Sequence, residues 1–279
     1  MGDMIATDRL AAEFDAGSRD GYFVARDLFT PEEVAEIRET FMEMNANGPV
    51  EGLSEIVGGR GEYTPDDPLR FYPRMMQPHF HPELPVGPVA KKYMLDPRLR
   101  PYLRAFMGDE PVAVQSMFYF KPPMARGQEL HQDNYYLRVK PGTCMAAWLA
   151  IDDADFENGG MKVVPGSQDL EIACPSQADA SISFTTDFVA PPEGMSAVHV
   201  DLKAGDVLFF NGSIIHGSSP NSSATRFRRS LIFHYVPLSS EEVGKWYGIA
   251  METFDGDKVE IQGATGSGPC GTAQPMRPH

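Results

Sequence analysis

Three places in the chain set a histidine two residues before a carboxylate: His81-Pro82-Glu83, His131-Gln132-Asp133 and His199-Val200-Asp201. With seven histidines and 39 acidic residues, about one such tripeptide arises by chance. On an extended backbone residues i and i+2 point to the same side, so such a pair can hold one metal ion together. A site of two histidines and one carboxylate also needs a second histidine, delivered by another strand. His216 follows His131 at a distance that leaves room for several strands, whereas between His199 and His216 there is room for one hairpin. The spacing therefore favours His131, Asp133 and His216 as ligands. It assigns His199 and Asp201 to an alternating strand face, and His81 and Glu83 to the solvated surface of a proline-rich loop.

The segment Phe209-Phe210-Asn211-Gly212-Ser213-Ile214-Ile215-His216 brings its histidine out at the end of an apolar strand. A small polar loop follows, then Arg226-Phe227-Arg228-Arg229 at the start of another strand. A hairpin of that length returns one arginine to the neighbourhood of His216. The planar guanidinium makes two parallel charge-assisted bonds to a carboxylate, so a buried arginine beside a metal is equipment for a dicarboxylic keto acid. Alternation puts Arg228, Ser230 and Ile232 on one face and Arg229, Leu231 and Phe233 on the other, so only one of Arg228 and Arg229 can enter a barrel. The pattern alone does not choose between them, because both faces are apolar. His234 shares the Arg228 face and reads as a satisfied interior histidine, not a fourth ligand.

These residues need a scaffold. Thr30-Pro31-Glu32-Glu33 combines an N-cap, a first-turn proline and a Glu three residues on, and Val34, Ile37, Phe41 and Met44 follow at helical spacing. Residues 46–90 are rich in Gly and Pro and read as a long irregular segment, with a short helix around Pro97–Met107 after it. From residue 111 the period becomes two. Val112–Phe120, Thr143–Ile151, Met161–Val164, Ala197–Leu202, Val207–Phe210 and Ser230–Val236 read as strands separated by Gly, Asn and Pro turns. Many short strands without helices between them predict an antiparallel sandwich or jelly roll. A short helix is expected beyond Ser239, then a poorly ordered tail from Gly263. The expected organisation is one domain over 1–279, with a mostly helical and loop part at 1–110, a jelly-roll core at 111–237 and a C-terminal extension at 238–279.

The chain of 279 residues carries 24 basic and 39 acidic side chains, a net charge of -15, which opposes binding to nucleic acid and to anionic membrane surfaces. The longest apolar run, Cys144–Ile151, is far short of the roughly 20 residues that span a bilayer. No secretory leader is visible, and Ala6 stands where a myristoylation signal wants Ser or Thr. Cys144, Cys174 and Cys270 are odd in number and widely spaced, which predicts free thiols in a reducing, cytoplasmic setting.

The stretches LHQDNYYLRVKPGTCMAAWLAI, ENGGMKVVPGSQ, AGDVLFFNGSIIHGSSPN and FRRSLIFHYV, in this order, resemble the phytanoyl-CoA dioxygenase family. The resemblance is dense from Gln115 to Pro237 and thinner from Gly21 to Met107. It implies a double-stranded β-helix (jelly roll, cupin-like) core, mainly β with flanking helices, and an iron(II)- and 2-oxoglutarate-dependent dioxygenase using O2. By resemblance His131, Asp133 and His216 hold the iron. Arg228, directly after Phe227, clamps the distal carboxylate of 2-oxoglutarate with the Ser218 hydroxyl, leaving Arg226 and Arg229 as basic surface. Gln132, Met117, Trp148 and Arg74 are the other implied cosubstrate contacts, although a strand tryptophan such as Trp148 is also commonly core. The implied reaction hydroxylates a C–H bond of a small-molecule metabolite with release of succinate and CO2. Desaturation, epoxidation, cyclisation and demethylation use the same cofactors, and a non-catalytic metal- or small-molecule-binding jelly roll is the other class. Halogenating relatives lack the carboxylate ligand, so Asp133 favours hydroxylation. An acidic chain without a visible basic channel speaks against a CoA thioester. Tyr119, Asn134, Tyr135 and the 50–90 segment are the candidate substrate contacts.

Overall fold

The computed structural model describes residues 19–55, 64–248, 251–265, 268 and 270–271. Its strands are β1 (Tyr22–Ala25), β2 (Met75–Met76), β3 (Pro111–Tyr119), β4 (Gln128–His131), β5 (Met145–Ala150), β6 (Met161–Val163), β7 (Ser176–Gln177), β8 (Asp187–Phe188), β9 (Val198–Val200), β10 (Val207–Asn211), β11 (His216–Ser218), β12 (Ser230–Pro237), β13 (Glu242–Val243), β14 (Met251–Thr253), β15 (Lys258–Val259) and β16 (Gln262–Gly263). The helices are α1 (Pro31–Ala46), α2 (Pro68–Phe71), α3 (Val86–Met94), α4 (Arg100–Met107) and α5 (Asn134–Leu137). The larger sheet runs β1-β10-β5-β12-β3-β14-β15, with β2 on β3; the smaller runs β4-β11-β6-β9. The two face each other as a jelly roll.

Strand alternation divides the large sheet into two chemistries. One face presents Met117, Tyr119, Trp148, Phe210 and Ile232 towards the small sheet. The other presents Phe118, Phe120, Leu149, Phe209, Leu231 and Phe233 to the helices. With both faces covered, all nine residues of β3 are buried. Helix α1 is the principal cover. The Thr30 hydroxyl accepts from the Glu33 amide at 3.3 Å and the Glu33 carboxylate accepts from the Thr30 amide at 2.8 Å, a reciprocal cap that fixes where the helix starts. Its buried stripe is Val34, Ile37 and Phe41, and the Phe41 ring stacks on Phe118 at 4.1 Å.

The expected strands are all present, with ends shifted by a few residues. Not anticipated were β1, which extends the large sheet by pairing Phe23 with Phe209, and the helices α2, inside the segment read as irregular, and α3, which starts within it and runs to Met94. Residues 56–63 of that segment lie outside the described residues. The helix expected beyond Ser239 is absent among the described residues. That stretch pairs instead, β13 with β16 and β14 with the β3 edge, so tertiary pairing overrides local helix propensity. Much of the tail expected to be poorly ordered (266–267, 269 and 272–279) lies outside the described residues. The cysteine expectation is corrected: Cys174 and Cys270 form a disulfide, and Cys144 alone is free, buried in the core. The partners are 96 positions apart and no local spacing marks them; the C-terminal segment folds back onto the loop that carries Cys174. No helix among the described residues is long and apolar enough to cross a membrane.

Candidate metal and cosubstrate site

His131 ends β4 and His216 begins β11, and the two are register partners across the small sheet, with ring centroids 4.3 Å apart. Asp133 arrives differently from the expected alternation. It has left the strand, sits in the αR region (φ -61, ψ -36) at the N-cap position of α5, and this turn swings its carboxylate between the two rings. Its Oδ1 is 3.6 Å from Nε2 of His131 and 3.6 Å from Nε2 of His216. All three side chains are buried, and their candidate ligand atoms lie within 4.8 Å of one another. Two donors at right angles, each about 2.1 Å from one ion, stand about 3 Å apart, so the trio fits a single divalent ion after a small contraction.

The backbone prepares each imidazole for that role. His131 Nδ1 donates to the Glu129 carbonyl at 2.8 Å and His216 Nδ1 donates to the Ile214 carbonyl at 3.1 Å. A carbonyl only accepts, so Nδ1 carries the proton and the Nε2 lone pair faces the site. Burial holds His216 down to about 4, which keeps the ring neutral and able to ligate at neutral pH. Burial alone would raise the Asp133 carboxyl, but His216, His234 and His131 around it hold it well below the usual carboxylate range. The carboxylate therefore stays charged.

The trio opens into a cavity whose wall includes Met117, Tyr119, Gln128, Trp148, Met161, Phe210, Ser218, Arg228, Ile232 and His234. Arg228 is buried, donates to the Gly159 carbonyl at 3.2 Å and the Ser230 hydroxyl at 3.0 Å, and has no carboxylate partner among the described residues. Burial pulls its guanidinium down to about 10, still protonated at neutral pH. Arg226 pairs with Asp155 and Glu157 at the surface, and Arg229 pairs with Asp152 on the opposite face of the strand. Lys121 went unnoticed in the sequence. Its buried amine, pushed well below its ordinary value by burial and by Arg228, donates to the Ser218 hydroxyl at 2.9 Å and the Gly159 carbonyl at 2.8 Å. The only sequence signal was a lysine following the apolar run Phe118-Tyr119-Phe120.

Of the other residues singled out, Met117, Trp148, Ser218 and Tyr119 line the cavity, and Arg228 lies over the Trp148 ring at 5.3 Å. Gln132 does not line it: its amide donates to the Ser213 carbonyl at 2.7 Å and accepts from the Ala173 amide at 2.7 Å. Arg74 stands beside an adjoining cavity, bound to Glu55 and, at 2.7 Å, to the Tyr119 hydroxyl. Asn134 and Tyr135 are not in the cavity wall either. The Asn134 side chain accepts from the Val139 amide at 3.0 Å, and the Tyr135 ring packs edge-on against Tyr136. His199 is exposed against the Phe156 ring, and His81 contacts Glu83 at 3.2 Å on a loop; neither approaches the trio.

A jelly roll that carries two histidines and a carboxylate on one face of a buried cavity, with a buried arginine in the same wall, has the architecture of a non-haem metal oxygenase. Residues 17–230 match the family model described as "Phytanoyl-CoA dioxygenase (PhyH)". The chain belongs to that family. It is 30% identical over 162 residues to "Phytanoyl-CoA dioxygenase 1" of Oryza sativa subsp. japonica, covering 57% of each chain. It is 26% identical over 178 residues to the peroxisomal phytanoyl-CoA dioxygenase of Bos taurus, covering 61% of this chain and 52% of that one. The matches thus span little more than half the length of these relatives. Among solved structures, the epimerase SnoN in complex with Fe3+, alpha ketoglutarate and nogalamycin RO superimposes with a TM-score of 0.66 at 21% identity, covering 84% of this chain and 86% of that one. EctD from S. alaskensis, in its apoform, gives 0.61 at 21% identity, covering 86% and 80%.

Proposed function

We propose that the protein is an iron(II)- and 2-oxoglutarate-dependent oxygenase that oxidises a C–H bond of a small-molecule substrate, with hydroxylation as the outcome. The observation that carries this reading is a buried, charged Arg228 with no carboxylate partner among the described residues, in the same cavity wall as His131, Asp133 and His216. A buried cation left that way is costly unless an anionic ligand completes it. His131, Asp133 and His216 would hold iron; Arg228 and the Ser218 hydroxyl would orient the distal carboxylate of 2-oxoglutarate. Bound iron supplies the chemistry that couples O2 reduction and loss of CO2 from the keto acid, giving succinate, to oxidation of the substrate. The protein's part is to fix the donors, neutralise the cosubstrate and exclude water, which the apolar wall of Met117, Trp148, Phe210 and Ile232 does.

The same fold in an epimerase shows that the scaffold alone does not set the oxidative outcome, so desaturation, cyclisation and related outcomes are separated by product analysis. The disulfide removes the cysteine argument for a cytoplasmic setting. The test is succinate formation with iron and 2-oxoglutarate across a metabolite library, read by mass spectrometry. His131→Ala and Asp133→Ala should abolish both iron binding and succinate, while His199→Gln and His81→Gln keep one iron per chain. Full iron occupancy in either of the first two variants overturns the reading.

A further inference from the structure

His234, on β12, points into the jelly roll beside the trio and is buried. Its Nε2 lies 2.9 Å from Asp133 Oδ2, while Asp133 Oδ1 faces the Nε2 atoms of His131 and His216. The two oxygens of one carboxylate are thus assigned to different neighbours. A carboxylate only accepts, so Nε2 of His234 carries the proton, and in the neutral ring Nδ1 is then an acceptor. That Nδ1 is buried and makes no hydrogen bond among the described residues. Directly across the sheet, His234 is the register partner of Gln115 on β3, a fully buried residue whose amide oxygen and nitrogen also make none. Three buried polar atoms on neighbouring positions of one sheet face call for a common partner, and one water can donate to both His234 Nδ1 and Gln115 Oε1.

We propose that His234 is a positioning residue that confines Asp133 to coordination through Oδ1 alone, and that Gln115, through a bridging water, holds His234 in the tautomer this requires. Three single-atom donors would leave a bound six-coordinate ion three positions for the two oxygens of a keto acid and for O2. A carboxylate free to pivot can close on the ion with both oxygens and take one of those positions. The His234 bond prevents the pivot by occupying Oδ2.

The inference rests on the trio binding a divalent ion, so the experiment separates the two. Co(II) is titrated into the full chain, and its visible absorption reports both affinity and coordination number; melting curves report folding. The wild type should take up one Co(II). His234→Leu should fold and still bind Co(II), but with a changed visible band and an apparent 2-oxoglutarate constant raised about tenfold. His234→Gln, whose amide nitrogen can reach Asp133 Oδ2, should restore both. Gln115→Leu should change the band in the same direction by less. A wild-type chain that binds no Co(II) would defeat the metal reading itself. Normal wild-type uptake with unchanged spectrum and 2-oxoglutarate constant in His234→Leu, or no rescue by His234→Gln, defeats the positioning role alone. If His234→Leu does not fold, Gln115→Leu decides, an unchanged band overturning the proposal.

Discussion

Arg228 and Arg229, just before β12, are neighbours with opposite surroundings, as the alternation of the strand they lead into would place them. Arg229 spends its charge on Asp152, with contacts at 2.7 Å, at the half-buried rim. Arg228 donates only to neutral oxygens among the described residues. Removing the charged partner of a buried carboxylate costs roughly 3–5 kcal/mol, and each 1.4 kcal/mol is about tenfold. Arg228→Gln should therefore raise the apparent 2-oxoglutarate constant by about two orders of magnitude and leave iron binding intact, as a titration of the Fe(II) charge-transfer band would read. Unaltered affinity there, with a large loss in Arg229→Gln, would move the anchor. At this scale the grouping of His131, Asp133 and His216 was legible because ligand chemistry restricts residue type and spacing at once. Gln132 was not, since its amide bonds to the Ala173 and Ser213 backbones depend on two loops that meet only in the folded chain. Asn134 and Tyr135 stood next to a ligand in sequence, but the α5 turn that delivers Asp133 carries them away from the cavity.

The pairing of β4 with β11 is what brings His131 and His216 together. The register contains a bulge: His216 faces His131 and Ser218 faces Gln128, so Glu129 and Leu130 together oppose Gly217. A Cβ at position 217 would sit 2.7 Å from the Gln128 carbonyl oxygen and 3.0 Å from that of Glu129, both backbone atoms with little room to yield. Gly217→Ala should push β11 off β4, costing about 1–3 kcal/mol of stability as overpacking does. It should weaken metal binding more than a distant mutation of equal stability cost. Paired melting and metal titrations check this, and a lowered melting temperature with unchanged metal affinity would show that the strand spacing does not govern the site. Long strands such as β3 and β12 were readable from alternation. Shorter strands were read only in part: β6 and β9 were expected but β1, β4 and β11 were not, because two to four residues carry little of the period. Helix α3 was obscured by the Pro and Gly residues around and within it, which tertiary contact with α1 and β3 overrides.

Across the whole molecule, helices and loops close the outer face of the large sheet, and this creates partly buried polar groups outside the cavity wall. His79, on a 3-10 turn at Pro78–Phe80, has its Nδ1 2.6 Å from the Ser116 hydroxyl. Burial drops its pKa from 6.5 to about 3. The folded ring stays neutral where the unfolded one takes a proton, so the contribution is complete above pH 6.5 and is lost as pH falls towards 3. At pH 5 that loss amounts to about 2 kcal/mol. Urea midpoints at pH 7 and pH 5 should show His79→Gln with a shallower acid-side decline than the wild type; equal declines would refute the assignment. The Cys174–Cys270 bond has a different consequence, one of connectivity. It closes residues 174–270 into a covalent ring that encloses His216, Arg228 and His234 and leaves His131 and Asp133 outside. A protease that cuts one peptide bond anywhere inside that ring releases no fragment, and the nicked chain runs at full mass on a denaturing gel until a thiol separates the pieces.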